Sequence, residues 1–549
     1  MSLISLAAAS KTLGSWTVFE GLDFEVLDGA RVGIVGPNGT GKTTILRILA
    51  GLETVDAGHV VRRGGVTTAY LPQHVEGDDR SPVQTVLAAR PDVAALDAAL
   101  KACEAELARP EVTASLPRMQ RVLSRQEDLL ARWIEAGGSG LEGEVRRLLL
   151  DLGLGEDDLD VPSNVLSGGQ RKLVGLASCL ISQPDVLLLD EPETHLDPDK
   201  RDRLEEVVRR FDGAVVTVSH DRYLLDGTVT SIAELDDERL TLWPGDYSTF
   251  AVAKELALQR QQVLYVTQQK EIDRLEEAIR RFRHWGAIGG DEKFFKKARQ
   301  KQRQIDRMDS IRRPVFERRT MALEMRSALR GGQKVLQLKG VTAAFDDDPV
   351  LLDVDLGVYR GERIGVIGPN GAGKSVLGRI LAGLLEPAAG ERWVGPTIRV
   401  GYLPQGADIQ PADHSAMEFV RRARPMFEAE AVNELARFLF RYDQMRQPVG
   451  TLSGGERTRL QFLLLQLSGA NCLVLDEPTN HLDIGSMEVL EGALERYDGT
   501  AIVISHDRYF LDRIPDRIVE VEQGFVRAFD GGYSDRLEAR MRERSASNV

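Results

Sequence analysis

The chain carries the same set of motifs twice, and that duplication constrains its fold more than any other feature. GPNGTGKT occupies residues 36–43 and GPNGAGKS residues 368–375. YLPQ ends at Gln73 and again at Gln405, so both pairs lie 332 residues apart. LSGGQR begins at Leu166 and LSGGER at Leu452; LLLDEP and LVLDEP place Asp190 and Asp476; SHDRY begins at Ser219 and at Ser505. These three pairs lie 286 residues apart, so the first copy holds 46 more residues between its glutamine and its LSGG segment. Five motifs recurring in one order mean two successive domains of one architecture.

Runs such as ARVGIV (30–35) and ERIGVI (362–367) predict strands that lead into the glycine segments, with helices following over 43–50 and 375–382. Short apolar runs at 186–189, 214–218, 473–475 and 501–504 end at acidic or polar residues, the pattern of buried strands in a largely parallel sheet. The fold class is therefore α/β, with functional residues at the carboxyl ends of strands. The chain divides into a first domain (1–250), a charged segment (251–333), a second domain (334–535) and a short tail (536–549).

The first copy's insertion lies within about 82–140, a stretch that predicts a helical pair. Leu96, Leu100, Cys103 and Leu107 recur at helical spacing, as do Met119, Leu123, Leu130 and Ile134, with Pro110 and Pro117 punctuating the turn. Such a pair is either a decoration or an arm that reaches a partner. The segment 251–333 holds 20 Lys and Arg against 11 Asp and Glu, a net of +9 in a chain of net charge −14. Leu264, Ile272, Leu275, Ile279 and Phe282 form one helical stripe there; Phe294, Ala298, Ile305, Met308 and Ile311 form another. This predicts an antiparallel hairpin with its tip near 285–292, stopped or kinked at Pro314.

Apolar residues at 42% and charged residues at 28% fit a folded soluble chain. No stretch approaches the ~18–20 uninterrupted apolar residues of a membrane span. Residues 1–10 place no basic residue ahead of an apolar stretch, which argues against a secretory signal. Cys103, Cys179 and Cys472 are too few and too scattered for a disulfide framework or a four-thiolate metal site, which points to a reducing cytoplasm. The acidic balance excludes a protein that coats nucleic acid with its whole surface, but not one basic element.

The glycine segments read as phosphate cradles. Gly36, Pro37, Asn38, Gly39, Thr40 and Gly41 in the first copy, and Gly368, Pro369, Asn370, Gly371, Ala372 and Gly373 in the second, let backbone N–H groups turn inward at a helix N-terminus. Lys42 and Lys374 reach the β- and γ-phosphates, and Thr43 and Ser375 offer a hydroxyl to Mg²⁺. Thr44 adds a hydroxyl where the second copy has Val376. Asp190 and Asp476, ending apolar strands, suit the metal shell, and Glu191 and Glu477 can take a proton from an attacking water. Gln73 and Gln405 are placed to touch metal and water; His220 and His506 are placed to meet the terminal phosphate. The Ser-His-Asp string is not a hydrolase triad, because adjacent residues cannot converge that way. Ser167, Gly168, Gly169 and Gln170, and Ser453, Gly454, Gly455 and Glu456, open helices as an anion site without its own lysine.

Taken together these motifs resemble an ATP-binding cassette protein with both nucleotide-binding domains in one chain, and specifically the ABC-F family of ribosome-associated translation factors and ribosome-protection proteins. DEPTNHLD at 476–483 is fairly specific to that family, and the resemblance covers nearly the whole chain. It implies two cassettes packed head to tail around two ATP and Mg²⁺, with residues 36–43 facing Ser453–Glu456's segment and residues 368–375 facing that of Ser167 and Gln170. It also implies a linker that reaches ribosomal RNA and the P-site tRNA, in a chain that works as a monomer. Phe345 corresponds to the adenine-stacking aromatic; the matching first-copy position is Leu13, with Trp16 nearby. The first copy also departs at DEPETHLD, with Glu193 and Thr194 in place of Thr479 and Asn480. The expected function is an ATPase acting on the ribosome, to regulate translation or protect it from antibiotics. The alternatives are a twin-cassette motor for separate membrane transporter subunits, and an ATP-gated scaffold. The basic hairpin, with Lys293, Lys296, Lys297, Arg299, Lys301 and Arg303 on its returning helix, favours the first.

Overall fold

Strands buried at every position need cover on both faces. Val186–Asp190, Ala214–Val218, Cys472–Asp476 and Thr500–Ile504 are buried along their whole lengths and sit inside two six-stranded sheets. The computed structural model describes residues 1–14, 16–113, 115–289, 292–308, 333–345, 348–406, 409–480 and 482–547. In the first repeat the strand order is Thr68–Leu71, Val186–Asp190, Ala214–Val218, Arg31–Val35, Ser231–Asp236, Arg239–Pro244. The first five strands are parallel and the last closes the edge antiparallel. The second repeat has the same order: Val400–Leu403, Cys472–Asp476, Thr500–Ile504, Arg363–Ile367, Arg517–Glu522, Phe525–Asp530. Asp190 pairs with Val218 and Asp476 with Ile504, so register brings each acidic strand end beside the SHDRY segment.

One face of each large sheet is covered by the helix after the glycine segment, Lys42–Ala50 or Lys374–Ala382, and by a three-stranded antiparallel sheet. Phe19, Ile45, Leu46, Leu188 and Val216 meet in that core. The other face is covered by helices, among them Leu141–Leu152, Gly168–Ile181 and Pro198–Arg210 in the first repeat. Each fully buried aliphatic side chain of this kind contributes about 1.5–3 kcal/mol. The strands and helices expected around both glycine segments are therefore present, to within a residue or two at their ends.

The insertion of the first repeat forms a pair of helices, Pro91–Leu107 and Leu116–Glu135, closed by Cys103, Val112 and Val122. The stripe read on the first helix packs: Leu100 and Cys103 are buried. The stripe read on the second does not. Val122 is buried and Leu129 and Trp133 are partly buried against apolar neighbours, whereas Leu123, Leu130 and Ile134 are 39%, 44% and 53% exposed. One residue rotates a helix by about 100°, so both sets satisfy a helical period and tertiary packing selects between them.

Two units divide the chain: Met1–Asp246 with Met321–Val549, and Tyr247–Thr320. The second is a hairpin of helices Tyr247–Gly289 and Glu292–Asp306. Leu275, Ile279 and Ala298 are buried, while Leu264 is 57% exposed and stands outside the packed stripe. Phe294 meets Phe282 and Trp285 at ring distances of 6.3 and 5.8 Å, so Phe294 helps hold the hairpin together. Trp285 lies within the helix rather than in a turn. Ile311 and Pro314 lie outside the described residues. The expected tail is the continuation of helix Tyr533–Ser547, in which Arg536 is buried against Glu520. Among the described residues no helix is long and apolar enough to cross a membrane.

Candidate nucleotide sites

Both glycine segments adopt the same backbone. Gly36 and Gly368 have φ of 153° and 150°, and a Cβ on either would lie 2.2 Å from a carbonyl oxygen, of Leu235 or Val521. Gly41 and Gly373 cap their helices with φ of 99° and 98°, the left-handed region that favours glycine. Neither offers a side-chain cap, which leaves first-turn N–H groups for a ligand. Lys42 Nζ donates to the carbonyls of Gly36 and Pro37 at 2.8 and 2.9 Å; Lys374 Nζ donates to those of Gly368 and Pro369, both at 2.9 Å. Thr40 Oγ1 donates to the Pro37 carbonyl at 2.9 Å, and the Ala372 amide to the Pro369 carbonyl at 3.2 Å.

The acidic strand ends converge on these loops. Thr43 Oγ1 donates to Asp190 Oδ1 at 3.2 Å, and Tyr70 and Tyr402 donate to Asp190 and Asp476 at 3.1 Å each. Burial holds Asp190 above the usual carboxylate range. Glu191 and Glu477 have φ of 44° and 50°. That conformation costs a residue with a side chain about 1–3 kcal/mol. Hydrogen bonds from their amides to the Val218 and Ile504 carbonyls, at 2.8 and 2.9 Å, hold it. His220 Nε2 stands 3.7 Å from Glu191 Oε1, and His506 Nε2 3.4 Å from Glu477 Oε1. Burial, then Lys42, pushes His220 down to about 4; burial, Lys374 and Arg201 hold His506 well below its usual value. Both imidazoles are therefore neutral near pH 7, and these approaches are not ion pairs. Burial pushes Glu477 up to about 7 against the pull of Lys374 and Arg201, and neither of its carboxylate oxygens has a hydrogen-bond donor among the described residues.

Two cavities of about 460 and 500 Å³ contain these groups. The first is lined by Asn38, Gly39, Gly41, Lys42, Thr43, Thr44, Gln73, Glu191 and His220, and the second by Asn370, Gly371, Gly373, Lys374, Ser375, Gln405, Asp476, Glu477 and His506. Leu13, Trp16 and Val18 line the first; Val350 and Val376 line the second. Phe345 ends its strand opposite Asp348. Each cavity also takes residues from the other repeat: Thr479, Leu482 and Met487 enter the first, and His195, Leu196 and Arg201 the second. The Asn38 amide donates to Asp483 at 3.1 Å, and Asn370 Nδ2 donates to the His195 carbonyl at 3.0 Å.

The LSGG segments are placed differently. Ser167 and Ser453 cap helices Gly168–Ile181 and Gly454–Leu467 in full capping boxes with Gln170 and Glu456. A Cβ on Gly169 would meet the His195 carbonyl, and one on Gly455 would meet Ser486, so both glycines lie against their own repeat. Among the described residues the lining of neither cavity includes the LSGG segment of the other repeat.

Three positions make the two sites unequal: Glu193, which the motif comparison marked, and Lys172 and Arg201, which it passed over. Lys172, buried after LSGGQR, donates to the carbonyls of Pro72, Gln73 and Asp190 at 2.8–2.9 Å; its counterpart is Thr458. Gln73 Nε2 then donates to Glu191 Oε2 at 2.8 Å, whereas Gln405 is exposed. Glu193 accepts from Ser219 Oγ at 2.7 Å and from the amides of His220 and Asp221 at 2.9 and 3.3 Å; its counterpart Thr479 meets Ser505 at 3.3 Å. Arg201 has Met487 as its counterpart. Lys172 and Arg201 follow LSGGQR and DEPETHLD by one and four residues, and nothing in their spacing marks them.

The donor set of the first site suits Mg²⁺, a hard cation that takes oxygen: the Thr43 hydroxyl and the Asp190 carboxylate are already within 3.2 Å, and Gln73 lines the same cavity.

The family model described as "ABC transporter" matches residues 19–194 and 351–480, and a second model with that description matches 233–325. The chain is 32% identical to the energy-dependent translational throttle protein EttA of Escherichia coli, over 96% of this chain and 93% of EttA. It is 33% identical to ABC transporter F family member 5 of Arabidopsis thaliana, over 99% of this chain and 78% of that protein. Among solved structures it is similar to an RNase-L inhibitor at 20% identity and a TM-score of 0.62, covering 98% of this chain and 92% of that one. The shared strand order, the paired glycine segments and these relationships agree: the chain belongs to the ATP-binding cassette family, in its ABC-F branch, and is an ATP hydrolase built from two tandem cassettes.

Proposed function

We propose that this protein is a cytoplasmic ATPase that acts on the ribosome, closing its two cassettes over two ATP and releasing them on hydrolysis. The observation that carries the two-ATP reading is the crossing of segments: Asp483 meets the first glycine loop at Asn38, and His195 meets the second at Asn370. Residues contributed by both cassettes then surround each nucleotide. Lys42 and Lys374 leave their carbonyl partners for the β- and γ-phosphates. Thr43, Asp190 and Gln73, with Ser375, Asp476 and Gln405, would hold Mg²⁺, which would offset phosphate charge. Glu191 and Glu477 take the proton of the attacking water, and neutral His220 and His506 donate toward the terminal phosphate. Leu13, Trp16 and Val18 cover one adenine and Val350 the other; the side chain of Phe345, the expected stacking aromatic, lies outside the described residues. Ser453–Glu456's segment and that of Ser167–Gln170 close over the phosphates by a rigid movement of one cassette against the other.

Ribosome action is supported by relatives that include a translational throttle protein and by the basic helical hairpin. Lys293, Lys296, Lys297, Arg299 and Arg303 are exposed on its returning helix. We read the hairpin as the part that meets ribosomal RNA and the P-site tRNA, to regulate translation or protect it from antibiotics. The test is ribosome co-sedimentation across a salt series in a Glu191→Gln, Glu477→Gln background. Replacing the six basic residues, Lys301 included, by Gln is expected to weaken association and flatten its salt dependence, because fewer counterions are released. Unchanged association with an unchanged slope would sink the RNA-contact reading.

A further inference from the structure

Arg201 stands in the first turn of helix Pro198–Arg210 in cassette one, and the same place in helix Ile484–Glu495 of cassette two is taken by Met487. The arginine side chain is only 12% exposed and its donors go three ways. Nε donates to the Leu196 carbonyl at 3.1 Å, and Nη1 donates both to Asp221 at 3.2 Å and to the His506 carbonyl at 3.0 Å. Leu196 and Asp221 belong to cassette one; His506 is the switch histidine of cassette two. Arg201 lines both cavities. Met487, which lines the first, cannot donate a hydrogen bond.

We propose that Arg201 is a positioning residue supplied in trans: cassette one fixes the His506 loop of the second site and ties it to the Asp221 loop of the first. This rests on the ATPase reading of both sites. The guanidinium carries five N–H donors and no acceptor, so one side chain can hold all three oxygens. A hydrogen bond from a charged donor to the His506 carbonyl fixes the backbone from which the imidazole approaches Glu477. The first site depends on Arg201 less. Asp221 also accepts from the amides of Tyr223 and Leu224 at 3.0 and 3.1 Å and lies 3.7 Å from Arg508, so its loop keeps other tethers. The two sites therefore differ in a defined way: the second takes its geometry from the opposite cassette through one side chain.

The experiment measures ATP turnover of the full chain in two backgrounds, Glu191→Gln, which leaves the second site competent, and Glu477→Gln, which leaves the first. Arg201→Met is expected to lower kcat of the second site about tenfold or more, the loss typical of a hydrogen bond to a charged group, with KM for ATP nearly unchanged. The first site is expected to lose less than about threefold. In labelled-histidine NMR of the same variant without nucleotide, the His506 resonances are expected to move and those of His220 to stay. Equal losses in the two backgrounds, or unmoved His506 resonances, would overturn the proposal and leave Arg201 as a general brace. Should Arg201→Met fail to fold, Arg201→Lys carries the same comparison, because it keeps the charge but lacks the planar fork whose Nε meets Leu196 while Nη1 meets Asp221 and His506. Turnover undiminished in the double Glu→Gln chain would instead remove the catalytic reading, while the histidine spectra would still report on Arg201.

Discussion

Arg222 of the first cassette and Glu491 of the second form an ion pair with side-chain exposures of 1% and 0%. The SHDRY arginine of each cassette grips a helix of the other. Arg508 repeats the contact with Asp202 at 2.6 Å and Glu205 at 3.5 Å. Arg222 also lies 3.9 Å from the centroid of the Tyr509 ring, and Arg508 4.9 Å from that of Tyr223. The two switch segments are thus joined at the centre of the cassette pair, on contacts made by protein groups alone.

Arg222→Ala leaves Glu491 buried with Arg513, at 2.9 Å, as its remaining cation. Breaking one side of a buried pair costs about 3–5 kcal/mol, whereas replacing both sides by apolar residues is often close to neutral. Arg222→Ala is therefore expected to lower the denaturant midpoint clearly, and Arg222→Met with Glu491→Met to lower it less. A double variant as unstable as the single one would count against the pair as the cause.

Glu191→Gln with Glu477→Gln keeps side-chain shape and the strained backbone but removes both candidate bases. ATP binding is expected to persist while turnover falls about 10²–10⁴-fold. Binding by a fluorescent ATP analogue and release of phosphate separate the two effects.

Glu193 is pushed up to about 7 by burial first and by Asp221 second. Its folded value lies above its unfolded one, so the folded chain binds the extra proton, and this stabilises the fold fully below the unfolded pKa of about 4.5. That contribution is lost as pH rises through about 7. Glu193→Thr, which copies Thr479, removes it. Relative to wild type, the variant is expected to gain melting temperature as pH goes from 5 to 8, by an amount equivalent to at most about 3 kcal/mol. A difference in Tm that does not change across this range would show that Glu193 is not protonated in the fold.

Lys172→Met takes a donor from the part-buried carbonyls of Pro72 and Gln73 and from the buried carbonyl of Asp190, the last costing about 1–3 kcal/mol when left unpaired. Because Lys172 holds the backbone of Gln73, the hydrogen bond from Gln73 to Glu191 is expected to loosen. Turnover should fall in the Glu477→Gln background and hold in the Glu191→Gln background, where Thr458 occupies the matching place. Equal losses in both would refer the effect to general stability.

The repeat, the strand–loop–helix order and the identity of Lys42, Asp190, Glu191 and their counterparts were legible in the residues alone. Phosphate cradles depend on local backbone geometry, and glycines at Gly36 and Gly41 encode that geometry within a few residues. The positive φ of Glu191 and Glu477 was not legible, because a neighbouring strand imposes it. Nor was the face of the arm helix that packs, since Leu123 and Val122 fit a helical period equally well. Arg201 and His506 lie 305 residues apart in sequence, Arg222 and Glu491 269, and Asp483 and Asn38 445. No spacing rule relates residues so far apart. These contacts exist because two folded cassettes meet face to face, and only the tertiary structure decides which side chains then lie within hydrogen-bonding distance.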